Sequence, residues 1–388
     1  MPVSRRSFFH SVGAGGAFLS ADFLIGRGHE ARAAELPAVP APDNGFIRIG
    51  SNENARGPAR SVLEAIRRAT TVRVGRGYPP DHLGELSTTI ASLYGVEPNG
   101  VIIATGSGPI LEAATRACCT AHSPLVTAAP TFTTCEQTAQ QMNVPVKIVP
   151  VDKSLGLDVA AMTAAATGAG LVFFCNPNNP TGTAHGYATV EQFIRAVKQA
   201  SPATTILIDE AYIDYTHDPN VKTLAPLAKE LPGVLIARSF SKAHGMAGLR
   251  LGYAVGQPDT LKTIAGAWGL GSINTLTAAA GTASLRDVTH MEAERTENAR
   301  VRDFTLQAFR DLGFEGTNAH TNCVFVDIKR PAKDFRDACA AQKVRVGRDF
   351  PPYEKSHTRI SLGTMDEMKQ AVAVFKRVLT ASTSSPLR

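Results

Sequence analysis

A single lysine among small and hydroxyl-bearing residues is the most chemically suggestive feature of this chain. It lies in Ser239-Phe240-Ser241-Lys242-Ala243-His244-Gly245-Met246-Ala247-Gly248-Leu249-Arg250, just after an apolar run. A Schiff-base lysine must offer a neutral amine, and desolvation or nearby positive charge lowers its pKa to that end. Ser239, Ser241 and Arg250 carry the donors to hold a phosphate dianion. A surface loop with a routine lysine has the same composition. In Ile206-Leu207-Ile208-Asp209-Glu210-Ala211-Tyr212 an acid closes an apolar strand, where it is costly unless partnered. A protonated pyridine nitrogen is such a partner, and the pairing makes the ring a better electron sink. Tyr212 can donate to a phenolic oxygen on the same ring. A helix N-cap at Asp209 or Asp214 is the competing reading.

Three further stretches each follow an apolar run. Asn176-Pro177-Asn178-Asn179-Pro180-Thr181-Gly182 is a rigid turn, from which Asn179 can present its amide to the same phenolic oxygen. Thr105-Gly106-Ser107-Gly108-Pro109 leads into a helix, whose first backbone amides suit a phosphate. A tight strand-to-helix turn reads identically. Pro130-Thr131-Phe132 offers a ring for stacking, although a lone Phe is usually core.

The elements that must position these residues are short apolar runs alternating with helical patterns between about 101 and 255. Val101-Ile102-Ile103-Ala104, Leu125-Val126-Thr127, Val146-Lys147-Ile148-Val149, Leu171-Val172-Phe173-Phe174, Ile206-Leu207-Ile208 and Val234-Leu235-Ile236 are the runs. Most lack alternation, as strands buried on both faces do. The fold class expected is α/β: a mainly parallel sheet sandwiched by helices, with strand ends and site on one edge, plus a smaller α+β domain at the C-terminus. There, a long charged helix from about 287 to 312 precedes strands at Cys323–Val326, Val344–Val346 and Arg359–Leu362, a helix near 331–342 and a last helix from about 366. The divisions are 1–33 signal peptide, 34–85 N-terminal arm and linker, 86–283 large domain and 284–388 small domain. Residues 46–85 are expected to return to the first sheet strand.

The chain has 388 residues, 44% hydrophobic and 19% charged, with a formal net charge of +6. That is an ordinary globular balance, and no basic cluster argues for nucleic acid. Ser4-Arg5-Arg6-Ser7-Phe8-Phe9, a modestly apolar stretch and Ala31-Arg32-Ala33 are laid out as a secretory signal of the twin-arginine type, which implies export of a folded protein to a periplasm. The apolar part is too short for a stable membrane anchor. The six cysteines have no metal spacing and read as buried free thiols.

Taken together, the five stretches resemble fold-type I pyridoxal-phosphate enzymes of the class I/II aminotransferases, nearest the histidinol-phosphate aminotransferase group, over about residues 46–380. The resemblance implies pyridoxal 5'-phosphate held by Lys242, which also moves the proton, with Asp209 on the pyridine nitrogen and Tyr212 and Asn179 on the phenolic oxygen. It implies a phosphate site of Gly106, Ser107, Gly108, Ser239, Ser241 and Arg250, and Phe132 in place of a stacking tyrosine. Tyr78 matches a tyrosine that reaches the neighbouring subunit's phosphate, so a homodimer with shared sites is implied. Arg359 matches the arginine that grips the α-carboxylate. The reaction implied is amino-group transfer between an amino acid and a 2-oxo acid. A lyase, decarboxylase or amino-acid oxidase on the same fold is the alternative, and a binding protein that kept the fold is a third.

The chain departs from that pattern at Asn52-Glu53-Asn54-Ala55-Arg56-Gly57-Pro58, where Arg56 replaces the aromatic that borders the substrate pocket, and at Gly108-Pro109-Ile110, which lacks the common acids. Arg56, together with Arg348, is expected to select an acidic or polar substrate side chain; Arg56 pointing into solvent is the alternative.

Overall fold

The structure is a computed structural model that describes residues 45–75 and 81–380, without the side chains of Arg73 and Asp81. Its strands, in chain order, are β1 (Ile47–Ile49), β2 (Val101–Ala104), β3 (Leu125–Ala129), β4 (Val146–Pro150), β5 (Leu171–Cys175), β6 (Thr205–Asp209), β7 (Val234–Ser239), β8 (Gly252–Gly256), β9 (Glu315–Gly316), β10 (Cys323–Asp327), β11 (Val344–Val346) and β12 (His357–Ser361). Seven of them form the main sheet in the order β2-β8-β7-β6-β5-β3-β4. Only β8 runs against its neighbours; the remaining pairs are parallel. Each expected apolar run is a strand of this sheet.

Alternate residues of the central strands enter two separate cores. Val172, Phe174, Ile206, Ile208, Val234 and Ile236 belong to one. Leu171, Phe173, Leu207, Leu235 and Ala237 belong to the other. A sheet covered on both faces explains why these strands show no polar alternation. Helices between and after these strands start from identifiable signals: Asp158 and Asn274 cap with their side chains, and prolines open Gly108–Cys118 and Pro258–Ala267.

A third core joins the C-terminal elements. It includes the helices Val288–Arg310 and Met365–Thr380 and the three-stranded sheet β12-β10-β9. The N-terminal segment divides: Ala59 and Val62 pack in the same core as Val101 of β2, as expected, while the strand that opens the segment goes elsewhere. β1 pairs in parallel with β11, and Ile49 lies in this third core. The reason is local: β1 is too short to stand alone, and the apolar Val344 and Val346 offer it a matching edge. All six cysteines are free thiols, five of them buried. Among the described residues, no helix is long and apolar enough to cross a membrane.

Candidate active site

The Lys242 loop leaves β7 at Ser239 and rejoins the sheet at Gly252. Ser239 Oγ accepts the Ser241 N–H at 3.0 Å, which gathers both hydroxyls at the start of the loop. Arg250, at φ 56°, sits in the left-handed region that few residues adopt without cause. Its guanidinium donates to Thr105 O at 3.3 Å and reaches Ser241 Oγ at 3.5 Å. Thr105 leads from β2 into Gly106, whose φ is 95°, and a Cβ on Gly106 would stand 2.4 Å from Arg250 Nη2. Only glycine permits that approach. The Ser107 side chain makes no capping bond, and with Pro109 lacking an N–H and Ile110 donating to Ser107 O, the Gly108 N–H at the helix start is the one turned to an anion. The structure thus gathers Gly106, Ser107, Gly108, Ser239, Ser241 and Arg250 into one cup for a dianion.

Asp209 ends β6 on the same face as Leu207, with 2% of its surface exposed. Its carboxylate accepts the Ala211 N–H at 3.1 Å; the next helical turn, Ile213–Tyr215, begins after Tyr212, so Asp209 is not its N-cap, and Asp209 forms no salt bridge of the kind that Arg238 makes with Glu210 among the described residues. Burial pushes its pKa up to about 6, although the Ala211 bond and Lys242 oppose the rise. Asn178 ties the neighbouring turn to the loop before Phe132: Thr131 Oγ1 donates to Asn178 Oδ1 at 2.6 Å, and Asn178 Nδ2 donates to Pro130 O at 3.1 Å. This bracing sets both Asn179 and the half-buried Phe132.

Lys242 Nζ donates to Asn52 O at 3.0 Å and Ser51 O at 3.3 Å. Burial, followed by the positive charge of Arg359, lowers its pKa to about 8. A substantial fraction is therefore neutral near that pH, as a nucleophilic amine requires. The lysine loop and the segment after β1 lie too close for side chains: a Cβ on Gly245 would fall 2.0 Å from Gly57 O. Asn54 Nδ2 donates to Ala243 O at 3.2 Å and completes the seam.

Arg359, on β12, donates to Asn179 Oδ1 at 2.8 Å and to Gly50 O at 2.5 Å. Its buried Nε–H has no partner, an uncommon state that a bound carboxylate would relieve. Gly347 keeps that side clear, since a Cβ there would lie 3.4 Å from Nε. Arg348 and Arg359 both lie against the Phe350 ring, at 4.6 and 4.8 Å from its centroid. Partial burial and the charge of Arg359 lower the Arg348 pKa.

Arg56 does not take the place expected of it. It forms a two-point ion pair with Glu294, at 2.8 and 2.5 Å. The Glu294 side chain is 2% exposed and that of Arg56 29%. The arginine is therefore neither a free cation for a substrate anion nor a solvent group; the buried carboxylate of the helix Val288–Arg310 has claimed it. Arg56→Ala should strand Glu294, cost about 3 kcal/mol or more of stability, and leave the ratio of activities on acidic and neutral donors unchanged. Thermal melting and a substrate panel check this; a changed ratio with unchanged melting would contradict it. Tyr78 and residues 1–33 lie outside the described residues.

Two features escaped sequence reasoning. Asn52 touches Lys242, Tyr212 and Ser361, yet only its place in Asn52-Glu53-Asn54 marked it. On the far face of the sheet, Glu210, Arg238 and Asp214 form a buried ionic cluster, with Arg238 donating to Asp214 at 2.5 Å. Adjacent acids after a strand hinted at Asp209 and Glu210, but period-two alternation sends them to opposite faces.

The donor set fits pyridoxal phosphate: a cup for the dianion, a buried carboxylate without a cation for the ring nitrogen, and an amine poised to be neutral. Comparison with known proteins agrees. Residues 44–375 match the family "Aminotransferase class I and II". A histidinol-phosphate aminotransferase of Moorella thermoacetica is 32% identical over 86% of this chain and 85% of that protein. An aromatic amino acid aminotransferase of Mycobacteroides abscessus is 32% identical over 85% of this chain and 92% of that protein. The crystal structure of histidinol-phosphate aminotransferase from Sinorhizobium meliloti with pyridoxal-5'-phosphate superposes with a TM-score of 0.79, at 26% identity over 87% of this chain and 91% of that one. The chain belongs to the class I and II aminotransferases and is a pyridoxal-phosphate-dependent enzyme of that family.

Proposed function

We propose that this enzyme moves the amino group of an α-amino acid to a 2-oxo acid, with Arg359 gripping the α-carboxylate of both. The observation that carries this is the unpartnered Arg359 Nε–H beside a guanidinium already oriented by Asn179 Oδ1 and Gly50 O. When bound, the cofactor supplies an electron sink for negative charge at the substrate's Cα. The chain's own residues do the rest. The Ser107 and Gly108 amides, with Ser239, Ser241 and Arg250, would anchor the phosphate, and Gly106, whose own N–H is donated to Ala104 O, lets the backbone approach it. Asp209 keeps the ring nitrogen protonated. Asn179 and Tyr212 would bond the cofactor's phenolic oxygen, and Phe132 would supply the stacking ring. Lys242 would hold the cofactor and is the base placed to carry the proton from the substrate's Cα.

With Arg56 paired to Glu294, Arg348, which shares the Phe350 ring with Arg359, is a cation for a substrate side chain among the described residues. Relatives named for histidinol phosphate and for aromatic amino acids share the fold, but the pocket-bordering aromatic is absent here. A donor with a polar or anionic side chain suits this arrangement. The test compares α-amino acids with the amines that lack their carboxylate. Arg359→Lys loses the two-point grip and should lower kcat/KM for amino acids about 10–100-fold, with little effect on the amines. An equal fall for both would refute the role.

A homodimer with shared sites, to which Tyr78 contributes across the interface, is supported by the resemblance of Gly77-Tyr78-Pro79. Mixing inactive Lys242→Ala and Tyr78→Ala chains should restore activity; no restoration counts against shared sites. Export through a twin-arginine route is supported by Arg5-Arg6 ahead of Phe8-Phe9 and by Ala31-Arg32-Ala33. Secreted protein should begin near Ala34, and lysines at positions 5 and 6 should retain it in the cytoplasm; unchanged export would dismiss the signal.

A further inference from the structure

The hydrogen bonds around Asn52 have a direction, and the backbone sets it. Asn52 is 1% exposed and has a φ of 53°, a left-handed conformation that asparagine tolerates. Its main-chain N–H donates to Ser361 Oγ at 2.8 Å. A main-chain N–H can only donate, so the serine oxygen accepts there and has its own proton to give elsewhere. Asn52 Oδ1 lies 2.6 Å away and receives it. The carbonyl end of the Asn52 amide therefore faces Ser361, and its NH2 end is the one 3.0 Å from the Tyr212 hydroxyl. The amide donates into the phenol oxygen and cannot take the phenol proton. Its second N–H goes to Cys323 Sγ at 3.3 Å. The Asn52 main-chain oxygen accepts from Lys242 Nζ at 3.0 Å and Asn322 Nδ2 at 3.1 Å. Asn52 thus has its polar groups engaged, and its amide fits only one way round.

The consequence falls on Tyr212, which is buried within 5.7 Å of Lys242 Nζ, measured to the ring centroid. Having accepted a hydrogen bond from Asn52, it keeps its single proton for another acceptor. We propose that Ser361 and Asn52 are positioning residues that hold Tyr212 as a proton donor toward the cofactor's phenolic oxygen. The chain runs from the Asn52 N–H through the Ser361 hydroxyl and the Asn52 amide to Tyr212, so each donor polarises the next. The proposal rests on the reading that Tyr212 faces that oxygen. A donor at this point favours the oxygen's negative form, and its loss favours the protonated state of the cofactor-lysine group.

The test titrates the cofactor's visible absorption band against pH in the holoenzyme. Tyr212→Phe should raise the midpoint by about one to two pH units. Ser361→Ala should raise it by a smaller step, about half a unit, and Ser361→Thr, which keeps the hydroxyl, should restore it. Asn52→Asp, which exchanges the donor for an acceptor at nearly the same shape, provides a second probe. In a Tyr212→Phe background the Ser361→Ala step should vanish and the Asn52→Asp step should shrink, because both act through the missing hydroxyl. An unmoved midpoint in Ser361→Ala, or the same step with and without the Tyr212 hydroxyl, overturns the relay. If Tyr212→Phe alone leaves the midpoint unmoved, the placement of Tyr212 at the cofactor fails, and the relay falls with it.

Discussion

Lys242→Ala should be lower in transamination by at least about 10⁴-fold, the upper range for a positioned proton-transfer group, and should lack the absorption of a lysine-linked cofactor. Two properties of the site make the effect large. Burial and Arg359 bring the amine to a pKa of about 8, where it serves both as nucleophile and as base. The carbonyls of Ser51 and Asn52 aim it, at 3.3 and 3.0 Å. Alanine removes the amine and leaves the phosphate cup intact, so cofactor should still bind noncovalently. Added alkylamines should recover part of the rate by supplying the missing base. A variant with more than a tenth of wild-type activity would remove Lys242 from the centre of the account.

Asp209→Asn should be the second most damaging change, lowering kcat about 10²–10³-fold, the equivalent of removing one partner from a buried ion pair. In the free protein, burial holds the Asp209 pKa at about 6. A cationic ring nitrogen beside it favours the carboxylate, so the bound form pulls that value down. The sign for cofactor affinity follows. Above about pH 6 the carboxylate is already charged in the free protein, and binding is at full strength. As pH falls through that value the free protein takes up a proton that the complex excludes, and affinity weakens. Asp209→Asn should bind cofactor more weakly and show no such step. Measured cofactor dissociation across pH checks this; an Asn variant that keeps the acid step would show that another group causes it.

The fold was legible where hydrophobic pattern alone determines it. The continuous runs Leu171–Phe174, Ile206–Ile208 and Val234–Ile236, short and spaced by helical patterns, read as strands covered on both faces, and they are the centre of the sheet. The polar residues that end those strands and fill the loops after them then come together at one sheet edge. Pairing across 300 residues was not legible. β1 reads as a short segment of an arm, and nothing in Ile47-Arg48-Ile49 names Val344–Val346 as its partner. Arg56 shows the same limit at the site. Its neighbours in sequence suggested a substrate contact, but Glu294, 238 residues away, decides where the guanidinium goes. The Asn52 relay was hidden for the same reason, since Ser361 and Tyr212 reach it only in the folded chain. A residue's chemistry can be read locally; its partner is a product of topology.

The most direct test of the central claim is the absorption spectrum of the purified enzyme, taken in air before and after single amino acids are added, with ammonia and 2-oxo product assayed. An aminotransferase predicts a lysine-linked cofactor band that bleaches with the correct donor and returns only when a 2-oxo acid is supplied. A band that recovers unaided while ammonia accumulates would contradict the account and identify an oxidase or lyase instead.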